Sequence, residues 1–261
     1  MSPEAERKTS PVAFVTGSTR GIGRAIATEL GRRGFSVALN GRDEGAAMTG
    51  ALDQLHRAGI RAIAAVGDMS KPENHRLVLD RIEDDLGAID CLVCNAGVGP
   101  LRRTDLLDVA EDSFDHCLAA NARGPFFLAQ EFARRVGARQ GGHRSLVFIS
   151  SANAEAASLN KAEYCVSKAA VAMVAKVFAM KLSPLGVQVV DVRPGVIRTD
   201  LSRPVLADYE RRIREDGLTL TPRIGLPQDI ACAVAAIAAG DLPYLTGAVL
   251  PVDGGLSMAR L

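Results

Sequence analysis

Short hydrophobic runs alternate with longer amphipathic runs along almost the whole chain. The hydrophobic runs are rich in valine, isoleucine and alanine and predict buried strands, whereas the amphipathic runs have the length and periodicity of helices. The predicted strands lie within residues 11–17, 35–40, 60–68, 89–97, 144–151, 187–195 and 246–255. The predicted helices lie near residues 21–34, 44–58, 72–86, 111–137 and 161–182, and a further apolar helical stretch covers 231–239.

Strands that are hydrophobic throughout and separated by helices predict a parallel sheet covered on both faces. The fold class is therefore α/β, with a doubly wound, mainly parallel, seven-stranded sheet. In such a sheet ligands bind at the carboxyl ends of the strands, near the point where strand order reverses. No linker divides the sequence, so we predict a flexible tail over residues 1–10 and one domain over residues 11–261. Residues 198–226 are rich in charge and interrupted by prolines, and they predict an inserted substrate lid.

Composition and charge exclude several partners. The 261 residues contain 31 Lys and Arg and 30 Asp and Glu, a net charge of +1 that favours neither nucleic acid nor an anionic membrane. No apolar stretch reaches the roughly 20 residues that span a bilayer. The polar first ten residues do not resemble a secretory signal. We therefore expect a cytoplasmic protein that acts on a small molecule, with no membrane or nucleic-acid partner.

Cys91 and Cys94 form a CxxC pair inside a predicted strand. Residues three apart on a strand point to opposite faces, so the two thiols cannot share a ligand there. No second CxxC or neighbouring histidine completes a zinc site, and the four histidines show no ligand spacing. We predict no metal site.

The segment TGSTRGIG, residues 16–23, follows the first predicted strand and opens the first predicted helix. Glycines here let the backbone turn tightly and approach a pyrophosphate, whose charge the free N–H groups of the helix stabilise. The spacing is GxxxGxG rather than GxGxxG, but its position between strand and helix predicts dinucleotide binding. The candidate residues of this loop are Gly17, Ser18, Thr19, Arg20, Gly21, Ile22 and Gly23.

The end of the second predicted strand bears on which dinucleotide binds. A carboxylate there accepts a hydrogen bond from the ribose of NAD, whereas cations accommodate the extra phosphate of NADP. Gly41 occupies the carboxylate position, Arg42 follows it, and Arg20 lies in the glycine loop. Two guanidinium groups that converge would bind a phosphate, although either arginine could be merely solvated. The sequence predicts NADP (NADPH) as cofactor.

Tyr164 and Lys168, in EYCVSKA, are four residues apart and share one face of a predicted helix. The pair alone is compatible with a half-buried tyrosine beside a lysine that reaches solvent. The alternative is chemical: the phenol protonates a developing alkoxide while the ammonium lowers its pKa. Moving that pKa from about 10 to near 7 requires about 4 kcal/mol of phenolate stabilisation, shared between Lys168 and an oxidised nicotinamide.

Several motifs in order resemble the short-chain dehydrogenase/reductase family. They are TGSTRGIG, NAG at 95–97, Ser151, YCVSK at 164–168 and PGVIRT at 194–199, and the resemblance spans about residues 11–257. It implies a Rossmann-type fold and a catalytic set of Asn121, Ser151, Tyr164 and Lys168. It also implies that Asp68 contacts the adenine, Lys168 the nicotinamide ribose, and Ile197 with Thr199 the carboxamide. Beyond the loop, the candidate cofactor residues are Arg42, Asp68, Met69, Asn95, Ala96, Gly97, Tyr164, Lys168, Pro194, Gly195, Ile197 and Thr199.

The resemblance also assigns roles to two residues that mean little alone. Ser151 would orient the substrate oxygen, and Asn121 would hold a water that relays protons towards Lys168. Without the family, each would be a residue that bonds locally. No GxSxG elbow surrounds Ser151, which argues against a nucleophilic serine. Family members commonly pair helices near 111–137 and 161–182 and also the last strand, so the expected assembly is a homotetramer or dimer.

These observations predict reversible, NADPH-dependent reduction of a ketone to a secondary alcohol. Similarity favours a 3-oxoacyl thioester, as in the 3-oxoacyl-[acyl-carrier-protein] reductases. The stretch ANAEAASLNKAE before Tyr164 lacks the glycines usual in those enzymes, so a sugar, polyol or other small ketone stays open. A non-catalytic NADP-binding sensor on the same fold is the alternative from another class, although Tyr164 and Lys168 are both present.

Overall fold

Seven parallel strands form a single sheet in the computed structural model, which describes residues 10–137 and 141–259. The strand order is β3-β2-β1-β4-β5-β6-β7, so the order reverses between β1 and β4. The predicted fold class is confirmed, and the sheet is parallel throughout. Almost all of the predicted tail lies outside the described residues. The strands are β1 (Val12–Val15), β2 (Ser36–Gly41), β3 (Ala62–Val66), β4 (Ile89–Cys94), β5 (Arg144–Ile149), β6 (Val187–Pro194) and β7 (Val249–Val252).

Helices cover both faces of the sheet. They are α1 (Gly21–Arg32), α2 (Ala46–Arg57), α3 (His75–Leu86), α4 (Glu111–Leu118), α5 (Gly124–Val136), α6 (Ala162–Leu182), α7 (Leu206–Glu215) and α8 (Pro227–Ala239). One apolar core lies between the sheet and α1, α2 and α8, and a second lies between the sheet and α3, α5 and α6. The strands are therefore hydrophobic on both faces, which explains their continuous apolar runs. None of the described helices meets the length and hydropathy that crossing a membrane requires.

The helix predicted near residues 111–137 is not continuous. A π-helical segment, Ala119–Arg123, separates α4 from α5. Pro125 has no N–H to donate to the carbonyl of Asn121 four residues earlier, so regular α-helical bonding fails here. Close packing requires glycine at position 124, because a Cβ there would lie 2.2 Å from the carbonyl oxygen of Met69. The interruption places Asn121 in the widened turn.

Residues 198–226 contain more regular structure than an irregular insertion would. A short 3₁₀ turn, Arg203–Val205, leads into α7, and Ile213 is the buried residue of that helix. A parallel bridge between Ile197 and Gly225 closes the segment at its base. The segment therefore leaves the end of β6 and returns to it before α8 begins.

The CxxC pair behaves as strand geometry predicts. Cys91 packs into the core beneath α1, and Cys94 packs into the opposite core. Both thiols are free, and burial raises the pKa of Cys91 to about 12. Within residues 10–137 and 141–259, no group of three or more His, Cys, Asp or Glu side chains could hold a metal ion.

Candidate active site

The glycine loop between β1 and α1 requires glycine at three positions. Gly17 and Gly21 have φ of 60° and 56°, a left-handed backbone that other residues rarely adopt. A Cβ on Gly23 would lie 2.4 Å from the carbonyl oxygen of Gly17, so the first turn of α1 can pack on the loop only without a side chain. The predicted tight turn is therefore present at the start of the helix.

Asn40, at the end of β2, fixes this loop and was missed by sequence reasoning. Its Oδ1 accepts a hydrogen bond from the N–H of Gly17 at 3.1 Å. Its Nδ2 donates to the carbonyls of Ala65 at 2.8 Å and Gly67 at 3.0 Å. One buried amide thus ties the loop to the carboxyl ends of β2 and β3. A polar residue ending the apolar run SVALN was the available signal.

The NAG segment after β4 lies directly against the glycine loop. The hydroxyl of Thr16 accepts hydrogen bonds from the N–H groups of Asn95 and Ala96, both at 2.9 Å. The Asn95 amide donates back to the Thr16 carbonyl at 2.8 Å. A Cβ on Gly17 would lie 2.9 Å from the Cα of Ala96. The structure therefore brings residues 16–23 and 95–97 into one cleft, at the point where strand order reverses.

Asp68 lies just after the end of β3. Its Oδ1 accepts from the N–H of Ser70 at 3.0 Å and from the Ser70 hydroxyl at 2.7 Å. Burial raises the pKa of Asp68, but these bonds and the charge of Arg42 outweigh it, and the pKa lies below its ordinary value. The side chain is thus an ionised acceptor at the cleft edge. Met69 is buried, and its carbonyl oxygen lies 3.0 Å from Nε2 of His75.

The two arginines assigned to the ribose phosphate have different neighbours. Arg20 forms an exposed ion pair with Asp200, with 3.9 Å between Nη1 and Oδ2. Arg42 lies close enough to Asp68 for its charge to lower the pKa of that carboxyl. The convergence of the two guanidinium groups on a ribose phosphate stays a prediction. A Cβ on Gly41 would lie 2.9 Å from Cγ2 of Thr19.

Tyr164 and Lys168 lie one turn apart on α6, as their spacing predicts. The Lys168 ammonium donates to the carbonyl of Ile149 at 2.9 Å, and lies 5.7 Å from the centroid of the Tyr164 ring. Ser151 begins a 3₁₀ turn just after β5, where its Oγ accepts from the N–H of Asn153 at 3.1 Å. Ser151 lies near enough to the Tyr164 phenol to lower its pKa. These three residues therefore lie together.

Burial controls the ionisation of this group. It raises the pKa of Tyr164 to about 12, and the nearby Ser151 offsets only part of the rise. It lowers the pKa of Lys168 to about 8, against the charge of Asp191. In the protein without its cofactor, removing a phenolate from water outweighs the nearby positive charges. The phenol is therefore protonated at neutral pH, the form that can donate a proton. The lowering of the phenol pKa towards 7 with an oxidised nicotinamide bound stays a prediction.

Asn121 is buried in the π-helical segment and holds the loop after β4. Its Oδ1 accepts from the N–H of Val98 at 2.8 Å, and its Nδ2 donates to the Val98 carbonyl at 3.0 Å and to Oγ of Ser167 at 2.9 Å. A Cβ on Gly97 would lie 3.1 Å from this Oδ1 and 3.5 Å from the Lys168 ammonium. Glycine at 97 thus leaves space beside Lys168 that a side chain would fill.

The turn after β6 closes the cleft from the other side. A Cβ on Gly195 would lie 2.7 Å from the Cα of Asp253, so Pro194 and Gly195 pass close to the end of β7. The Ser202 hydroxyl donates to the carbonyl of Ile197 at 2.6 Å and accepts from the N–H of Thr199 at 3.0 Å. A Cβ on Gly21 would lie 3.7 Å from Cγ2 of Thr199. The PGVIRT segment therefore reaches the glycine loop.

Comparisons with known proteins agree with this geometry. The family model for Enoyl-(Acyl carrier protein) reductase matches residues 17–257. An L-rhamnose 1-dehydrogenase (NAD(P)(+)) of Sphingomonas sp. is 32% identical over 243 residues, which are 93% of this chain and 94% of that one. A 3-oxoacyl-[acyl-carrier protein] reductase of Brucella melitensis, solved with NAD, has a TM-score of 0.93 and 35% identity, covering 97% of this chain and 100% of that one. A gluconate 5-dehydrogenase of Burkholderia cenocepacia, solved with NADP and tartrate, has a TM-score of 0.87 and 33% identity, covering 96% of each chain.

Proposed function

The chain belongs to the short-chain dehydrogenase/reductase family, and from that premise we propose that it reversibly reduces a ketone to a secondary alcohol with NADPH. The observation that carries this proposal is the grouping of Ser151, Tyr164 and the Lys168 ammonium, with Lys168 Nζ 5.7 Å from the centroid of the Tyr164 ring and Ser151 near enough to lower the pKa of the phenol. Hydride addition to a carbonyl builds negative charge on its oxygen. That oxygen needs a hydrogen-bond donor directed at it and a source of a proton. Ser151 is the donor and Tyr164 the source.

The residues around the cleft fit a dinucleotide. The left-handed Gly17 and Gly21 and the start of α1 would hold the pyrophosphate, and the ionised Asp68 would accept from the adenine. Space beside Lys168, left by Gly97, suits the nicotinamide ribose, while Ile197 and Thr199 would hold the carboxamide. When bound, the nicotinamide supplies hydride in reduction or accepts it in oxidation.

The end of β2 supports NADP over NAD. The comparisons include proteins that use or hold either dinucleotide, so discrimination depends on this chain's own residues. A carboxylate at position 41 would have to displace the Thr19 methyl, and Arg42 supplies a cation next to the same position. An arginine recognises a phosphate and gains nothing from a free hydroxyl. We assign the preference to Arg42, with Arg20 of the glycine loop as the second cation for the phosphate.

Four residues of the site have separate roles in proton transfer. Tyr164 holds its proton at neutral pH because its pKa is raised to about 12, so it acts as the acid in reduction. The charge of Lys168 favours the phenolate that remains after the proton has left. Ser151 orients the oxygen, and Asn121 holds the loop against Lys168 and is placed to support a water-mediated proton relay. Residues 198–226 cover the substrate.

Two substrate classes follow from the relatives. The first is a 3-oxoacyl thioester, which similarity to the Brucella reductase supports. The second is a sugar, polyol or related small alcohol. It is favoured by the segment 152–163, where charged and amide side chains replace glycine and Lys161 binds Asn153 at 2.7 Å.

We also propose a homotetramer. Large apolar side chains remain exposed along α4, α5 and α6, which is typical of helices that pack against a second copy. The outward-facing members are Phe114, Phe127, Val166, Met173, Val177 and Met180. The short, partly exposed strand β7 at the sheet edge offers a second interface. Light scattering coupled to size exclusion tests this assembly, with a monomer as the contradicting result.

One titration and one activity panel test the function. NADPH fluorescence quenching should give a Kd at least tenfold below that of NADH. Oxidation of NADPH should follow with acetoacetyl thioesters or with small ketones, and NADP⁺ reduction with sugar or polyol substrates. Tight NADPH binding without turnover of any member would instead favour the non-catalytic sensor. Equal or tighter NADH binding would refute the assignment of Arg42.

A further inference from the structure

A buried arginine lies near the end of β6, next to the turn that carries Ser151. Arg193 is the last residue but one of the strand, and 7% of its side chain is exposed. The carbonyl of Val192, the residue before it, accepts a hydrogen bond from the N–H of Ser150 at 3.0 Å. The backbone that carries Arg193 is therefore bonded directly to the residue before Ser151.

Two carboxylates bind this guanidinium through different nitrogens. Its Nε donates to Oδ2 of Asp191 at 2.8 Å, and its Nη1 donates to Oε1 of Glu155. Asp191 lies two residues earlier on the same strand and is buried, whereas 72% of the Glu155 side chain is exposed. The three side chains therefore form a line of charges that runs from the interior to the surface of the turn after β5.

The buried part of this line contributes orientation more than stability. Desolvation offsets most of the attraction in a buried ion pair, and apolar side chains of similar volume are often as stabilising. Within the described residues, Oδ1 of Asp191 is buried without a hydrogen-bond partner, which is a further cost. A guanidinium is planar, and its N–H groups point in fixed directions. The bond from Nε to Asp191 therefore fixes the direction in which Nη1 of Arg193 meets Glu155.

Glu155 belongs to a tight turn that begins at Ser151. The Ser151 Oγ accepts a hydrogen bond from the N–H of Asn153 at 3.1 Å, and its carbonyl accepts one from the N–H of Ala154 at 2.9 Å. These bonds are local and set the shape of the turn. The ion pair of Glu155 with Arg193 attaches the turn to β6, and so bears on where the Ser151 hydroxyl lies.

We propose that Arg193 is a positioning residue that acts through Glu155 on Ser151. Asp191 sets the direction of the guanidinium, Arg193 holds the turn, and the turn keeps the Ser151 hydroxyl where it can orient the substrate oxygen. This assignment rests on the proposed function and adds to it a group that does not touch the substrate. A displacement of about 1 Å at a reacting group can lower a rate about 100-fold, so the attachment of the turn has a catalytic consequence.

Glu155→Ala tests this attachment, because it removes an exposed side chain and leaves the buried pair of Arg193 and Asp191 in place. For NADPH oxidation by the most active ketone of the panel, kcat should fall about 10- to 100-fold, with the Kd of NADPH unchanged within about twofold. Glu155→Gln keeps an oxygen that can accept from Arg193 and should retain kcat within about threefold. Asp53→Ala, which removes an exposed carboxylate from α2, is the matched control and should change neither quantity.

A double-mutant cycle with Ser151→Ala separates positioning from a general loss of structure. If Glu155 acts through Ser151, Glu155→Ala should change kcat less than about twofold once the Ser151 hydroxyl has been removed. Equal losses in the two backgrounds would mean that Glu155 acts independently of Ser151, and the proposal would be overturned. An unchanged kcat in the single variant Glu155→Ala would overturn it as well.

Amide hydrogen exchange measures the turn without any turnover. The N–H groups of Asn153 and Ala154 should exchange at least about tenfold faster in Glu155→Ala than in the wild type, and at the wild-type rate in Asp53→Ala. That result in a protein that reduces no ketone would refute the proposed function and retain the attachment of the turn to Arg193. Unchanged exchange in Glu155→Ala would overturn the attachment even where ketone reduction is found.

Discussion

Lys168 should destabilise the folded protein at neutral pH, and replacing it should reveal by how much. Burial lowers the pKa of its ammonium from 10.5 to about 8. The unfolded chain therefore holds this proton over a pH range in which the folded protein has lost it. By linkage, this difference in pKa between the folded and unfolded states lowers the free energy of unfolding by about 3 kcal/mol at pH 7. The destabilisation decreases as the pH rises from about 8 to 10.5.

Lys168→Met removes this penalty at similar side-chain volume. It also leaves the carbonyl of Ile149 without its 2.9 Å hydrogen bond, at a cost of about 1 kcal/mol. The net expectation at pH 7 is a gain of about 2 kcal/mol in stability together with loss of catalysis. At pH 10 the wild type has recovered most of the penalty, so the gain should have disappeared.

Urea unfolding of the cofactor-free protein at pH 7, 8, 9 and 10 measures this difference. Lys181→Met, an exposed lysine on the same helix, is the matched control and should show no comparable dependence on pH. The reasoning is refuted if Lys168→Met is less stable than the wild type at pH 7. It is also refuted if the difference between the two proteins stays constant from pH 8 to pH 10.

Three further variants test the cofactor cleft. Asn40→Ala removes the hydrogen bonds of a buried amide to Gly17, Ala65 and Gly67, so it should lower the unfolding free energy by about 2–4 kcal/mol in urea denaturation and weaken NADPH binding about tenfold. Unchanged NADPH affinity in the quenching assay would contradict its role. Arg42→Ala should weaken NADPH binding about tenfold and leave NADH binding unchanged, and an equal loss for both cofactors would be the contrary result. Gly23→Ala places a methyl group 2.4 Å from the Gly17 carbonyl and should abolish NADPH binding while circular dichroism stays near wild type; retained binding would show that the loop can move.

The sheet and the catalytic pair could be predicted because both depend on local spacing. Continuous apolar runs identify strands buried on both faces, and a four-residue spacing places Tyr164 and Lys168 on one face of a helix. The π-helical segment around Asn121 had local signals too, in Gly124 and Pro125, but the close passage of Gly124 by Met69 is a contact between distant segments. A 3.6-residue pattern alone does not report such a contact.

Features that depend on three-dimensional surroundings could not be predicted from the sequence. The pKa of Tyr164 rises because the phenol is buried, and burial cannot be read from a single turn of sequence. Arg20 forms an ion pair with Asp200, which lies 180 positions along the chain. Asn40 acts through carbonyls on a neighbouring strand. Polar roles of this kind follow from which loops the topology brings together.

Single-turnover oxidation of bound NADPH by a ketone substrate measures whether Tyr164 donates the proton. Tyr164→Phe keeps the ring and removes the hydroxyl. We predict that this variant binds NADPH within about threefold of the wild type and reduces the ketone about 10²- to 10⁴-fold more slowly, as expected for loss of a general acid. A folded Tyr164→Phe protein that retains more than about a tenth of the wild-type rate would contradict the claim.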